Sequence, residues 1–201
     1  MDLKGFDQPG SAAAGKTRSV KVMIAGGFGT GKTTMVRSVS DIKPLTTEET
    51  LTQASADVDH LIGVADKTET TVSLDFGKIS INDSLMLYLF GTPGQERFWF
   101  LWNGLFKGAL GAVVLVDTRR LASSFRAIEE MERQNVPFVV ALNVFPDSQE
   151  YPIEEIRDAL DISPQIPVVA CDARDRTSSR DVLVALIRHL KERSAVALES
   201  R

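Results

Sequence analysis

One short segment, residues 26–33, constrains the fold of this chain more than any other part of the sequence. It reads Gly-Gly-Phe-Gly-Thr-Gly-Lys-Thr and matches the pattern G-x-x-x-x-G-K-[ST]. An apolar run at residues 20–25 predicts a strand before it, and residues 32–39 predict a helix after it. Glycines let backbone amides approach an anion closely, and the N-terminus of a helix favours negative charge. The segment therefore predicts a phosphate-binding loop between a strand and a helix.

The residue types in this loop predict how a nucleotide polyphosphate would bind. Lys32 is expected to neutralise charge on the β- and γ-phosphates and to assist catalysis, and the hydroxyl of Thr33 is expected to bind Mg²⁺. The remaining residues predicted to contact the nucleotide here are Gly27, Gly29, Thr30, Gly31 and Thr34. A second Gly-Lys-Thr at residues 15–17 has no strand before it, so we assign it to a tail.

The order of predicted elements indicates an α/β fold. Two adjacent strands follow the first helix, at residues 71–81, where Gly77 interrupts the strand, and at residues 85–90. Further strands are predicted at residues 110–116, 136–142 and 168–170, and further helices at 121–133, 152–160 and 179–192. This order predicts a mostly parallel six-stranded sheet with one antiparallel edge strand and helices on both faces. Ligands of such sheets bind beyond the carboxyl ends of the strands.

The length of 201 residues fits one domain, which we place at residues 19–193. Residues 1–18 lack hydrophobic periodicity and predict a disordered N-terminal tail, and residues 194–201 are expected to form a C-terminal tail. Residues 41–70 are polar and long for a connector, which predicts a mobile functional loop.

The charge balance and the single cysteine narrow the class of protein. Lys plus Arg number 23 and Asp plus Glu 27, and this net charge of -4 gives no sign of a nucleic-acid partner. No apolar run is long enough to cross a membrane and no signal-peptide core is visible, so we expect no membrane insertion. One cysteine, Cys171, fits a cytoplasmic location, and its apolar neighbours predict a buried side chain.

Residues 91–98, Gly-Thr-Pro-Gly-Gln-Glu-Arg-Phe, resemble the switch II segment D-T-A-G-Q-E of Ras-like small GTPases. The resemblance implies a P-loop NTPase G domain in which the amide of Gly94 contacts the γ-phosphate and Gln95 positions the attacking water, as a catalytic residue. Gly91 stands where that family has an aspartate that supports Mg²⁺ through water. Loss of such a carboxylate weakens metal binding on the order of 10–100-fold, so slow intrinsic hydrolysis is expected.

Residues 71–76, Thr-Val-Ser-Leu-Asp-Phe, resemble the switch I run T-I-G-V-D-F of Rab proteins. The resemblance aligns Thr71 with a threonine that holds Mg²⁺ only in the triphosphate state, with Thr70 as the alternative. Either threonine also suits the start of a strand, because β-branched residues favour strands.

The same resemblance implies a guanine pocket, which those GTPases build from N-K-x-D and S-A-K. Asn143 matches the first residue, but Val144 and Pro146 occupy the lysine and aspartate positions. Asp147 lies one residue late, so it either reads the base from a bulged loop or is an ordinary turn residue.

The second motif, S-A-K, corresponds to the end of the last predicted strand and the residues after it. Three residues there are expected to line the pocket: Cys171, Ala173 and Arg174. By resemblance, the amide of Ala173 would meet guanine O6. Arg174 would pack against the base, or alternatively carry a solvated charge.

Over about residues 19–192, the chain resembles the GTP-binding proteins of actinobacterial conservon operons and, distantly, the bacterial polarity GTPase MglA. The runs that carry this resemblance are residues 26–34, 87–100 and 114–120. It implies GTP or GDP with Mg²⁺ as ligands. It also implies a roadblock/LC7 protein as regulator, and a sensor-kinase-like membrane protein as a further partner.

Aromatic residues follow the switch II-like segment at positions 98, 99, 100, 102 and 106. Such density suits a nucleotide-dependent partner surface, although some of these side chains must pack in the core. Candidates for an arginine that stabilises phosphate charge are Arg97, Arg119 and Arg120. The sequence thus favours a slow GTPase switch, with a non-hydrolysing nucleotide-binding scaffold or an ATP-dependent small-molecule kinase as alternatives.

Overall fold

The computed structural model describes residues 17–51, 70–95, 98 and 102–199. Almost all of the predicted N-terminal tail, and residues 52–69 of the predicted mobile loop, lie outside the described residues. The strands are β1 Arg18–Ala25, β2 Leu45–Leu51, β3 Thr70–Asn82, β4 Leu85–Gly91, β5 Ala109–Val116, β6 Phe138–Asn143 and β7 Val168–Cys171. The helices are α1 Lys32–Val39, α2 Trp102–Leu105, α3 Phe125–Arg133, α4 Ile153–Ala159 and α5 Arg176–Glu199.

All of these strands join one sheet in the order β2-β3-β4-β1-β5-β6-β7. The strands β4, β1, β5, β6 and β7 pair in parallel, and β3 pairs antiparallel with both β2 and β4. The prediction of a mostly parallel α/β sheet is confirmed. The described sheet has one strand more than predicted, β2, which places the antiparallel strand second from the edge. The polar composition of β2 concealed it, because an edge strand can carry charged and polar residues.

Two hydrophobic clusters cover the two faces of the sheet, because successive side chains of a strand point to opposite faces. On β1, Val22 and Ile24 belong to the cluster beneath α1 and α5, and Met23 and Ala25 belong to the cluster that includes Ile128 of α3. Helices therefore cover both faces, as predicted. The buried second half of β1, residues 22–25, leads directly into the loop at residues 26–31, which lies at the carboxyl edge of the parallel strands.

Several predicted boundaries need correction. Helix α5 continues to Glu199, so residues 194–199 are helical and not part of a tail. Gly77 does not interrupt β3; a Cβ there would lie 2.8 Å from Val36 Cγ1, so glycine leaves room for α1. A 3₁₀ helix, Thr118–Ser124, precedes α3, so the α-helix begins at Phe125, four residues later than predicted. None of the described helices has the length and apolarity that crossing a membrane requires.

Candidate nucleotide-binding site

The loop between β1 and α1 has the backbone geometry that its glycines predict. Gly26, Gly29 and Gly31 have φ angles of 139°, 75° and 102°, which residues with a Cβ rarely adopt. A Cβ at Gly31 would also lie 2.5 Å from Asn143 Nδ2, and one at Gly26 would lie 2.5 Å from the carbonyl oxygen of Leu115. Glycine is therefore required at both positions by conformation and by space.

Lys32 lies at the first position of α1 with its amine turned into the loop. Its Nζ donates to the carbonyl oxygens of Gly26 at 3.0 Å and Gly27 at 2.6 Å, and the side chain is buried. Burial lowers the pKa of Lys32 from 10.5 to about 8, although the nearby charge of Asp75 opposes the shift. A desolvated ammonium of this kind attracts an anion strongly, because little water competes for it.

This pKa predicts how the stability of the ligand-free protein depends on pH. Between pH 8 and 10.5 the unfolded chain holds a proton on Lys32 that the folded chain has lost, so the free energy of unfolding rises with pH. The expected gain across this window is on the order of 3 kcal/mol. We would measure urea unfolding of the parent and of Lys32→Met at each pH, since their difference isolates Lys32 from other titrating groups. A difference that stays flat across the window would contradict the prediction.

The hydroxyl of Thr33 donates a hydrogen bond to Oδ2 of Asp75, a buried residue of β3. Sequence reasoning assigned no role to Asp75. A signal was present, because aspartate is depleted in strand interiors and Asp75 lies between Leu74 and Phe76. The structure thus adds a carboxylate to the predicted phosphate site.

The segment that follows β4 lies against the phosphate loop. The amide of Thr92 donates to the carbonyl of Ile24 at 2.9 Å. A Cβ at Gly94 would lie 2.6 Å from Lys32 Nζ and 2.9 Å from the Cα of Phe28. Gly94 therefore lies against Lys32 and the loop at residues 26–33, and its contact with a phosphate stays a prediction.

A cleft of about 320 Å³ opens where this segment, the loop and β3 meet. Its lining includes Lys32, Thr33, Thr34, Asp75, Gly94 and Gln95. Thr92 also lines it, and the buried hydroxyl of this residue has no hydrogen-bond partner within the described part of the chain. An unpaired buried hydroxyl is rare in a folded protein and suits a bound water or ligand.

The donor set of this cleft fits Mg²⁺. Hydroxyl and carboxylate oxygens are the protein groups that this cation prefers, usually together with water and phosphate oxygens. Across the residues that the structure describes, no group of three or more His, Cys, Asp or Glu side chains is placed to hold a metal ion. A cation beside Thr33 and Asp75 would take its further ligands from phosphate oxygens or water. Thr70 and Thr71 lie at the start of β3, opposite Leu51 and Thr50, and their side chains are outside the described part.

On the other side of the loop, Asn143 connects three segments of the chain. Its Nδ2 donates to the carbonyl of Thr30 at 3.0 Å, and its Oδ1 accepts from the amide of Ala173 at 2.9 Å. The amide of Ala173, which the resemblance directs at a base carbonyl, is thus engaged within the protein. Asn143 is buried and positions the phosphate loop against the segment after β7.

Asp147 lies at the exposed end of this region and is paired with Arg119. The guanidinium of Arg119 lies 3.9 Å from the centre of the Phe145 ring, and its Nε donates to Oδ1 of Asp117 at 2.9 Å. Val144, at the position of the motif lysine, is half exposed. For Asp147 to bind a base, its carboxylate would have to exchange its ion pair with Arg119 for a bond with the ligand.

Asp117 is fully buried at the end of β5 and organises two neighbouring arginines. Hydrogen bonds from Arg119 hold the pKa of Asp117 below its usual range, since they stabilise the carboxylate. Arg120 Nη2 donates to Asp117 at 3.1 Å and to the carbonyl of Phe28 in the phosphate loop at 3.3 Å. Of the candidate arginines, Arg120 therefore lies beside the loop and Arg119 beside Asp147, and Arg97 is outside the described residues.

Two further predicted pocket residues have partners inside the protein. Arg174 donates to Asp172 through Nε at 2.9 Å and Nη2 at 2.8 Å, which lowers the pKa of Asp172 to about 2. Cys171 is buried as expected, and burial raises the pKa of its thiol. The structure thus places Arg174 on the surface, paired with Asp172.

The aromatic residues after the switch II-like segment pack largely inward where the structure describes them. Phe98, Trp102 and Phe106 are each less than 5% exposed, and Trp102 Nε1 donates to the carbonyl of Pro93 at 3.2 Å. Trp99 and Phe100 lie outside the described residues. The described aromatics therefore hold the segment after β4 in the core, and a partner surface stays a prediction.

The sequence profile of a family described as conserved hypothetical ATP binding protein matches residues 24–193. The chain belongs to this family. An uncharacterized protein of Methanocaldococcus jannaschii is 27% identical over 130 residues, 64% of this chain and 71% of that protein. Ras-related protein Rab-11C of Dictyostelium discoideum is 29% identical over 101 residues, 45% of each chain. The match to Rab-11C thus spans under half of that protein.

Solved structures show which fold this family member has. The G domain of the T. maritima FeoB iron transporter matches with a TM-score of 0.57 and 19% identity, over 87% of this chain and 98% of that chain. The FeoB G-domain of Methanococcus jannaschii matches with a TM-score of 0.59 and 13% identity, over 87% and 99%. The chain therefore has the α/β fold of a P-loop GTPase G domain, as the sequence predicted.

Proposed function

We propose that this chain is a signalling switch that binds GTP or GDP with Mg²⁺ and hydrolyses GTP slowly. The observation that carries the proposal is the meeting of Lys32, the Thr33 hydroxyl and Gly94 in one cleft with Gln95. Lys32 donates to two carbonyls there, and a phosphate oxygen is a stronger acceptor because it is charged. Gly94 leaves room for phosphate to approach its amide.

In this proposal, different residues bind the phosphates, hold the cation and orient the water that accepts the phosphoryl group. Lys32 and the loop amides hold the β- and γ-phosphates, and Mg²⁺, when bound at Thr33, neutralises phosphate charge. In this proposal Thr71 approaches the cation in the triphosphate state. Gln95 can donate to and accept from a water, so it orients the attacking nucleophile.

Gln95→Leu is expected to slow phosphate release at least about tenfold in single turnover, because leucine cannot orient a water. Nucleotide binding should change little. The matched control is Gln165→Leu, which changes an exposed glutamine in the connection that precedes β7, outside the lining of the cleft. Equal phosphate release from Gln95→Leu and the parent would remove Gln95 from the proposed mechanism.

The two similarities differ on the base. The family description names ATP, whereas the resemblance to Ras-like GTPases implies guanine nucleotides. We propose guanine, read by Asp147 once ligand replaces Arg119 as its partner. A carboxylate can accept from guanine N1–H and N2–H₂, and adenine presents no such paired donors. Extraction of bound nucleotide from the purified full chain tests this directly. GTP or GDP supports the proposal, and adenine nucleotide alone overturns the choice of base.

Gly91 favours a second candidate, a nucleotide-binding scaffold that does not hydrolyse its ligand. In either case we propose a cytoplasmic protein of the conservon branch, distantly similar to MglA. Its proposed regulator is a roadblock/LC7 protein, and a sensor-kinase-like membrane protein could hold it at the membrane. Phosphate release measured with and without a roadblock partner separates the two functions. Stimulation by the partner supports the switch, and absence of release in both conditions supports the scaffold.

A further inference from the structure

Gly91 ends β4 and lies directly opposite Asp75 of β3 in the sheet register. A Cβ at Gly91 would lie 3.1 Å from the Cβ of Asp75 and 3.3 Å from its Oδ2. The carboxylate of Asp75 therefore borders the space that a side chain at position 91 would enter. The carboxylate that β4 lacks at position 91 is therefore present on the neighbouring strand, at Asp75.

The Asp75 carboxylate is directed at the phosphate site rather than at solvent. Asp75 is 6% exposed, lines the cleft and accepts the hydrogen bond of the Thr33 hydroxyl. A threonine hydroxyl has one hydrogen to donate and two lone pairs to offer. While Asp75 takes the hydrogen of Thr33, a lone pair of the same oxygen is left for a cation.

We propose that Asp75 is the positioning residue for Mg²⁺ in this chain, a carboxylate moved from β4 to β3. It orients the hydroxyl of Thr33 and supplies the negative charge that position 91 lacks. Mg²⁺ affinity is thereby kept without an acidic residue at Gly91. This inference rests on the proposed binding of a nucleoside triphosphate at the loop. It removes the reason to expect weak metal binding, and with it the ground for slow hydrolysis, so the rate in the proposed function is tested separately by phosphate release.

Exchanging the residues at positions 75 and 91 tests this proposal. In Asp75→Gly/Gly91→Asp the two residues trade places, so composition and net charge are unchanged. Gly91 has no positive φ, and the nearest obstacle to its Cβ, the Asp75 side chain, is gone in this variant. The exchange therefore returns a carboxylate to the end of β4 without crowding.

The test measures binding of a fluorescent nucleoside triphosphate by the full chain as Mg²⁺ is raised from zero in the presence of a chelator. Asp75→Asn is expected to raise the Mg²⁺ concentration at half effect by about 10–100-fold. Binding without Mg²⁺ should be unchanged or tighter, since a charge that repels phosphate is gone. The exchange variant should recover most of the Mg²⁺ response. As a matched control, Asp41→Asn removes a carboxylate that accepts from the amide of Ser80, outside the cleft.

The outcomes separate this inference from the proposed function. A Mg²⁺ response in Asp75→Asn equal to the parent's overturns the role of Asp75 and leaves nucleotide binding intact. An equal loss of binding with and without Mg²⁺ also overturns it, because that pattern reports a structural role of the Thr33–Asp75 bond. If the parent itself binds no triphosphate under either condition, both the inference and the proposed function fail.

Discussion

Lys32→Met is expected to weaken binding of a nucleoside triphosphate by about 2–5 kcal/mol, or roughly thirtyfold to several-thousandfold in dissociation constant. Methionine keeps most of the apolar stem of the side chain but removes the ammonium that lies beside Gly26, Gly27 and Gly94. Because the lysine is buried, its ammonium is weakly screened, and its loss removes a strong attraction for the phosphates. Calorimetric titration with unlabelled GTP and with ATP measures the loss for either base.

The matched control for this prediction is Lys21→Met. Lys21 also lies at the start of the fold, in β1, and its Nζ donates to the carbonyl of Lys107 at 3.2 Å. It is partly buried and does not line the cleft, so its loss should change affinity less than about twofold. Undiminished binding by Lys32→Met would show that the loop does not hold the phosphates.

Gly31→Ala is expected to destabilise the ligand-free protein by about 3 kcal/mol and to disable nucleotide binding. The left-handed φ of 102° costs alanine about 1 kcal/mol. A Cβ would meet Asn143 Nδ2 at 2.5 Å and displace the side chain that bridges Thr30 and Ala173, at about 1 kcal/mol for each hydrogen bond lost. For a chain of this size the melting temperature should fall by about 6–12 °C.

Gly108→Ala provides the comparison, because Gly108 also has a positive φ, 76°, but nothing lies within 4 Å of its Cβ position. This variant is destabilised only by its unfavourable φ angle, so its melting temperature should fall by about 2–4 °C. Thermal unfolding of both variants under identical conditions isolates the contact with Asn143. Equal melting temperatures would show that Asn143 moves aside without loss.

The local pattern of residues 26–39 was sufficient to place the phosphate loop and α1, and the predicted helix, residues 32–39, matches the structure at both ends. Hydrophobic periodicity was also sufficient for the order of most strands and for the α/β class. These features depend on residues that are close together in the chain, so short segments of the sequence are enough to predict them. The polar strand β2 and the length of α5 were missed, because composition and periodicity are weak at an edge strand and at the end of a helix.

Only the tertiary structure decided which side chains share the site. The hydrogen bond between Thr33 and Asp75 joins residues 42 positions apart, and that between Asn143 and Thr30 joins residues 113 positions apart. Such contacts depend on strand order and register, since a shift of one residue in β3 would turn Asp75 to the opposite face. The sequence alone thus determined the glycine-rich loop between β1 and α1 at residues 26–33. Sheet register placed a carboxylate beside it and paired Asp147 with Arg119.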